Sequence, residues 1–228
     1  MTDRLLGGVS GSGGEAASPV RGFSFDIDGL ADRLHGVGWA VLPRAVDPDL
    51  CAALRRTALG EWSRGGFRTG GIGRDRRRQS ATRRTAIRWL DGAAPAEAEY
   101  LAAMEALRLG LNRRLFLGLF EFESHYAVYP PGAFYATHVD ALRGGNNRQV
   151  STVLFLEPGW DAVDGGLLEI DAPDGASVAS VLPEAGTLVC FLSEVFPHRV
   201  TPTRRLRVSL PGWFRCNASA SDRAIPPD

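Results

Sequence analysis

Lysine is absent from the 228 residues, so all 26 basic side chains are arginines. Any side chain here that grips an anion through a fixed charge is therefore a guanidinium, which meets a carboxylate through two parallel hydrogen bonds. Cysteine is scarce: Cys51, Cys190 and Cys216 are odd in number, far apart, and show neither CxxC nor CxH spacing. That excludes a disulfide framework and a closed zinc site built on thiolates, and it fits a reducing cytoplasm. No apolar run is long enough for a transmembrane helix. The first residues, MTDRLLGGVSGSGGEAASPVRG, offer only Leu5 and Leu6 as an apolar pair, too few for a signal peptide. An excess of one charge is missing too, because 26 acidic residues balance the arginines and the formal net charge is zero. A general binder of polyanions is thereby excluded.

Histidine numbers only four, and two of the four carry most of the chemistry legible here. His138 is followed by Val139 and Asp140. On a β-strand residues i and i+2 share a face, so His138 and Asp140 are expected to present an imidazole and a carboxylate to one ion while Val139 packs on the other side. The pair alone is a weak signal, since chance produces it in about a quarter of chains of this composition. His198, in FPHRVTP, strengthens it: the intervening chain is long enough for several strands to return to the same point. Arg207 follows nine positions on, in RLRVSLPGWF, whose alternation reads as a strand with Ser209 on the same face as the arginine. Two histidines and one carboxylate on an octahedral ion leave three positions open, the arrangement of non-haem ferrous oxygenases.

From about Glu121 to Arg215 the chain resembles the Fe(II)/2-oxoglutarate dioxygenases, specifically the prolyl hydroxylase branch that includes the hypoxia-sensing enzymes and their bacterial relatives. The segments that carry the resemblance are HYAVYPPGAFYATHVD, NNRQVSTVLFLEPGWDAVDGGLLEI and GTLVCFLSEVFPHRVTPTRRLRVSLPGWF. Upstream, LADRLHGVGWAVLPRAVDPDLCAALRR and TAIRWLDG are similar to that branch as well. The resemblance implies a catalytic set of His138, Asp140, His198 and Arg207. In it the first three are the iron ligands, and the arginine clamps the distal carboxylate of 2-oxoglutarate. It implies a place for Tyr129 beside the cosubstrate, for Tyr135 on the strand leading to the metal, and for Arg148, Trp89 and Trp213 at the substrate entrance. One position departs from the pattern: Phe155 stands where the hypoxia-sensing enzymes carry a tyrosine whose hydroxyl helps hold the distal carboxylate. Ser209 is the candidate for the missing hydroxyl. The implied cofactors are Fe(II), 2-oxoglutarate and O2, with ascorbate supporting activity, and the implied products are succinate, CO2 and a hydroxylated substrate. Such chemistry asks no general acid or base of the protein, so His35 and His125 need no catalytic role.

The pattern of residues predicts an α+β, mainly β fold: a double-stranded β-helix, or jelly roll, with supporting N-terminal helices packed on one sheet. Residues 1 to about 22, rich in Gly, Ser and Ala, read as a disordered leader, 23–216 as a single domain with its jelly roll at about 120–215, and 217–228 as a flexible tail. Helical spacing marks Leu30 to His35, Asp49 to Leu59 with Asp47 as cap, and residues 95 to 116, where Tyr100, Met104, Leu107 and Leu111 form one stripe. GWAVLP reads as a short strand between the first two. From Glu121 the period switches to two, giving strands at FESHYAVY, AFYATHVD, QVSTVLFL, LLEID, SVLP, TLVCFLS, HRVTP and LRVSLPGWF.

GIGRDRRRQSATRRTAIRWLDG holds six arginines between Arg74 and Arg84 against one acidic residue, Asp75. Such a run is by default a solvated loop. In the resembling hydroxylases this region folds over the bound polypeptide, so Arg76, Arg77 and Arg78 are expected to steer a protein substrate. That partner has an accessible proline, on an acidic surface or in the translation apparatus. Three functions stand side by side at this point: hydroxylation of a prolyl residue in a cytoplasmic protein; the same chemistry on a free amino acid or secondary metabolite; and an oxygen- or iron-responsive regulator that binds nucleic acid. Zero net charge and the lack of a nucleic-acid motif count against the third. No membrane partner is expected.

Overall fold

The computed structural model describes residues 22–24, 26–69, 84–141 and 147–216. Most of the expected leader, the expected tail, and Arg76, Arg77 and Arg78 lie outside these residues.

Helix α1 (Ile27–Gly36) is capped by Asp26, whose carboxylate accepts from the Asp28 amide at 3.0 Å. Helix α2 (Pro48–Ser63) starts on the anticipated Asp47, which accepts from the Asp49 amide at 2.7 Å, with proline at the first helical position, where no N–H is needed. Helix α3 (Pro95–Leu115) buries the expected stripe of Tyr100, Met104, Leu107 and Leu111 completely. Each such burial contributes about 1.5–3 kcal/mol. Gly110 lets α1 and α3 cross closely: a Cβ there would stand 2.6 Å from Ile27 Cγ2.

Eleven strands are described: β1 (Trp39–Leu42), β2 (Arg68–Thr69), β3 (Ala86–Trp89), β4 (Leu119–Tyr129), β5 (Tyr135–His138), β6 (Arg148–Phe155), β7 (Leu168–Asp171), β8 (Ser177–Val181), β9 (Leu188–Leu192), β10 (His198–Val200) and β11 (Arg207–Cys216). They pair antiparallel in two sheets, β1-β9-β6-β11-β4-β3-β2 and β5-β10-β7-β8. Alternation along the strands sorts the two faces of the large sheet. Tyr126, Val128, Val150, Leu154, Val208 and Leu210 pack toward the helices. Ala127, Tyr129, Val153, Phe155, Val189 and Phe191 face the small sheet and meet Leu168, Ile170 and Val200 there. The fold is thus the expected jelly roll, with helices against one sheet.

Three local readings need correction. The strand expected at SVLP lies earlier, at Ser177–Val181. TAIRWLDG, not read as a strand, contains β3, whose alternation is hidden because all four of its residues are half-buried. Most consequentially, β5 ends at His138, so Asp140 lies in the bend beyond it and shares no strand face with the histidine. Pairing with β10 stops at the His138–His198 pair; the residue before His198, Pro197, turns its carbonyl to the Asp171 amide of β7 instead.

Strand β3 is fastened to α3 by charge. Arg88 donates from Nη1 to Glu97 Oε1 at 2.7 Å, and the other oxygen of this fully buried carboxylate accepts from the Gly92 amide at 3.2 Å. Removing one partner of such a buried pair typically costs about 3–5 kcal/mol.

Candidate active site

His138 closes β5 and His198 opens β10, and the antiparallel register sets them directly opposite one another. Asp140 swings in from the following bend. Its Oδ1 lies 3.6 Å from His138 Nε2 and its Oδ2 3.6 Å from His198 Nε2, and the candidate ligand atoms of the three residues all fall within 4.8 Å of each other. The backbone fixes the tautomers. His138 Nδ1 is 2.9 Å from the Ala136 carbonyl and His198 Nδ1 is 3.1 Å from that of Phe196, so each Nδ1–H donates outward and each Nε2 turns a lone pair to the common centre. Rings hold the imidazoles in place: Tyr135 stacks on His138 at 3.7 Å, and Phe191 meets His198 edge-on at 4.7 Å. Burial pushes the Asp140 carboxyl up, but His198, then His138, then Ser151 and the Trp213 indole outweigh it, and the group stays below the ordinary carboxylate range. Two imidazole Nε2 atoms turned to one centre beside a carboxylate, with coordination positions left over, fit a divalent iron. Thiolates do not contribute, since Cys51 and Cys190 pack in the helix-side core.

Arg207 enters from β11 and is 1% exposed. Its Nε donates to the Gly166 carbonyl at 2.9 Å and its Nη1 to Ser209 Oγ at 3.0 Å, while Nη2 is buried with no hydrogen-bond partner among the described residues. Two of the three donor groups are spent on positioning the third. An unpaired buried donor on a charged group costs more than its hydrogen bond would contribute, so the geometry calls for an anionic acceptor at that point. Gly166, at φ 67°, makes the turn possible and leaves room for the arginine stem, which a Cβ would approach to 3.1 Å. Tyr129 lies opposite Arg207 in the β4 register, its ring 4.7 Å from the guanidinium carbon; Phe155, opposite Ser209, is 5.2 Å from it. The Ser209 hydroxyl therefore stands beside the phenyl ring that lacks one.

Trp89 and Trp213 come together at 6.3 Å, and Arg148 stacks on Trp213 at 3.7 Å while pairing with Glu123 at 2.8 Å. These three expected entrance residues form one wall. Tyr135 opens β5, the strand that leads to the metal, and stacks on His138, whereas Arg76, Arg77 and Arg78 lie outside the described residues. The structure adds residues that the sequence did not single out for the site: Ser151 and Ser193 beside Asp140, Glu123 behind Arg148, and His125 edge-on to Trp89 at 5.1 Å. Ser151 is one residue pair from Val153 and two from Phe155, so strand parity already pointed it inward. A cavity of about 650 Å³ bounded by Gly132, Val163, Gly165, Thr203 and Arg204 includes none of the triad.

The family model for the 2OG-Fe(II) oxygenase superfamily matches residues 124–215. The crystal structure of a Pseudomonas putida prolyl-4-hydroxylase is 41% identical, superposes with a TM-score of 0.78, and is covered over its whole length by 85% of this chain. The chain belongs to the 2OG-Fe(II) oxygenase superfamily. Among curated proteins, a PKHD-type hydroxylase of Maricaulis maris is 39% identical to the oxygenase over 89 residues, and the Egl nine homolog 1 of Rattus norvegicus 35% identical over 91. Those matches take in 38% and 39% of this oxygenase, and 39% and 27% of the respective relatives.

Proposed function

We propose that this oxygenase is an Fe(II)- and 2-oxoglutarate-dependent dioxygenase that hydroxylates a prolyl residue in a protein. The observation that carries the cosubstrate is the unpartnered Nη2 of Arg207, aimed from a fully buried side chain into the space between the sheets. The prolyl assignment is supported by the 41% identity to the Pseudomonas hydroxylase. His138, Asp140 and His198 hold the iron; Arg207, backed by Ser209 and Tyr129, takes the distal carboxylate. When bound there, iron and 2-oxoglutarate would supply oxidative decarboxylation to succinate and CO2, with one oxygen atom of O2 entering succinate and the other the substrate C–H bond, and ascorbate would support that activity by keeping the metal ferrous. The protein's own part is placement and exclusion of water. Trp89 and Trp213 give an apolar wall on which a pyrrolidine ring can lie, and Arg148, its charge met by Glu123 and its plane held on Trp213, flanks that wall. Arg76, Arg77 and Arg78 steer the protein partner, an acidic surface or a component of the translation apparatus in the cytoplasm.

The iron-loaded chain incubated with 2-oxoglutarate and a proteome extract should release succinate and leave prolines heavier by one oxygen in a restricted set of peptides. Succinate release stimulated only by small metabolites, with no modified peptide, would refute the protein-substrate reading and leave the cosubstrate chemistry standing.

A further inference from the structure

Asp140 is the one member of the triad that no strand holds. A side chain on a bend has rotational freedom that a metal ligand must lose, and the structure shows where that freedom goes. Ser151, on β6, is 1% exposed and places its Oγ 2.6 Å from Asp140 Oδ2. That is the length of a hydroxyl donating to a charged oxygen. Ser193, just past β9 and fully buried, lies 2.9 Å from Ser151 Oγ. A serine has a single proton to give, and the ionised carboxylate can only accept, so the direction is forced: Ser193 donates to Ser151, and Ser151 donates to Asp140. The backbone of Ser193 completes the tie, because its carbonyl accepts from the Ala141 amide at 3.2 Å while its amide donates to Gln149 at 3.0 Å.

We infer that Ser151 and Ser193 are positioning residues that do for Asp140 what β5 does for His138. The pair ties Oδ2 to β6 and so fixes how the carboxylate faces the two imidazoles. A hydroxyl chain also polarises along its length, so the terminal bond to Asp140 is stronger with Ser193 present than without it. This inference rests on the triad holding iron.

The test is a titration of the full-length chain with Co(II), followed by its visible absorption, which reports affinity and coordination number without any turnover. Ser151→Ala should weaken Co(II) binding about 10- to 100-fold, the usual cost of removing a group that orients a metal ligand. Ser151→Thr keeps the hydroxyl on a strand that suits β-branched residues and should restore affinity to within about threefold. Ser193→Ala should cost less than Ser151→Ala, and the double variant should bind as Ser151→Ala alone does, because Ser193 acts through Ser151. Affinity within twofold of the unaltered chain in Ser151→Ala, failure of threonine to restore it, or multiplicative losses in the double variant would each overturn the inference. If the unaltered chain takes up no Co(II), the iron reading itself falls, and this inference with it.

Discussion

Replacing Arg207 with lysine isolates the work of a guanidinium fork in a chain that otherwise has no lysine. The arginine spends Nε on the Gly166 carbonyl and Nη1 on the Ser209 hydroxyl, and it lies within 4.7 Å and 5.2 Å of the Tyr129 and Phe155 rings. These contacts aim Nη2. An ammonium retains the charge but cannot reproduce three donors in one plane. The variant therefore loses at least one charge-assisted hydrogen bond, worth about 1.5–3 kcal/mol, with the Gly166 carbonyl left short of its donor. At about 1.4 kcal/mol per tenfold, the KM for 2-oxoglutarate should rise roughly 10- to 150-fold. The distal carboxylate is remote from the reacting bond and is held equally before and during the reaction, so kcat should fall far less than kcat/KM. Succinate release measured across a wide range of 2-oxoglutarate separates the two. A KM within twofold of the unaltered enzyme, or a loss confined to kcat, would refute the assignment of Arg207 to the cosubstrate.

Ser209→Ala should raise the same KM by about 2- to 12-fold, the worth of one ordinary hydrogen bond, and Phe155→Tyr in that background should recover most of the loss, since the new phenol projects beside the vacated position. An unchanged KM in Ser209→Ala would show that the missing hydroxyl is not replaced by this serine. Asp140→Ala and His138→Ala should each abolish succinate release and weaken metal binding; normal turnover in either refutes the triad. Alanine at Arg76, Arg77 and Arg78 together should raise the KM for the protein substrate while leaving uncoupled 2-oxoglutarate turnover intact, read by parallel peptide and succinate assays. An unchanged substrate KM would sink the steering role.

What could be read from the residues alone followed the strength of the periodic signal. The stripe of α3 and the alternation of β4, β6 and β11 are long enough to declare themselves, and with them came the jelly roll, the helices on one sheet, and the inward aim of Arg207 and Ser209. The spacing His-x-Asp named the right residues for a wrong local reason. It presumed a strand through Asp140, whereas pairing with β10 stops at the His138–His198 pair and Asp140 lies in the bend beyond it. Ser151 escaped notice although its parity with Val153 and Phe155 aims it inward, and Ser193, just past β9, had no such signal, because serine is common on surfaces. Strand β3 was hidden for a related reason: a four-residue segment at the margin of a sheet has too few positions to show a period.

The ion pair between Arg88 and Glu97 divides the site into two mechanical halves. Most iron and cosubstrate residues sit on strands clasped by the two sheets, whereas Trp89, next to Arg88, is carried on a short segment paired to β4 and tied by that ion pair to a helix on the far side of the large sheet. Loosening that tie therefore acts on Trp89 first and leaves in place the strands that carry the histidines and Arg207. Substitutions along α3, a sheet's thickness away from the chemistry, would pass as changes in substrate preference.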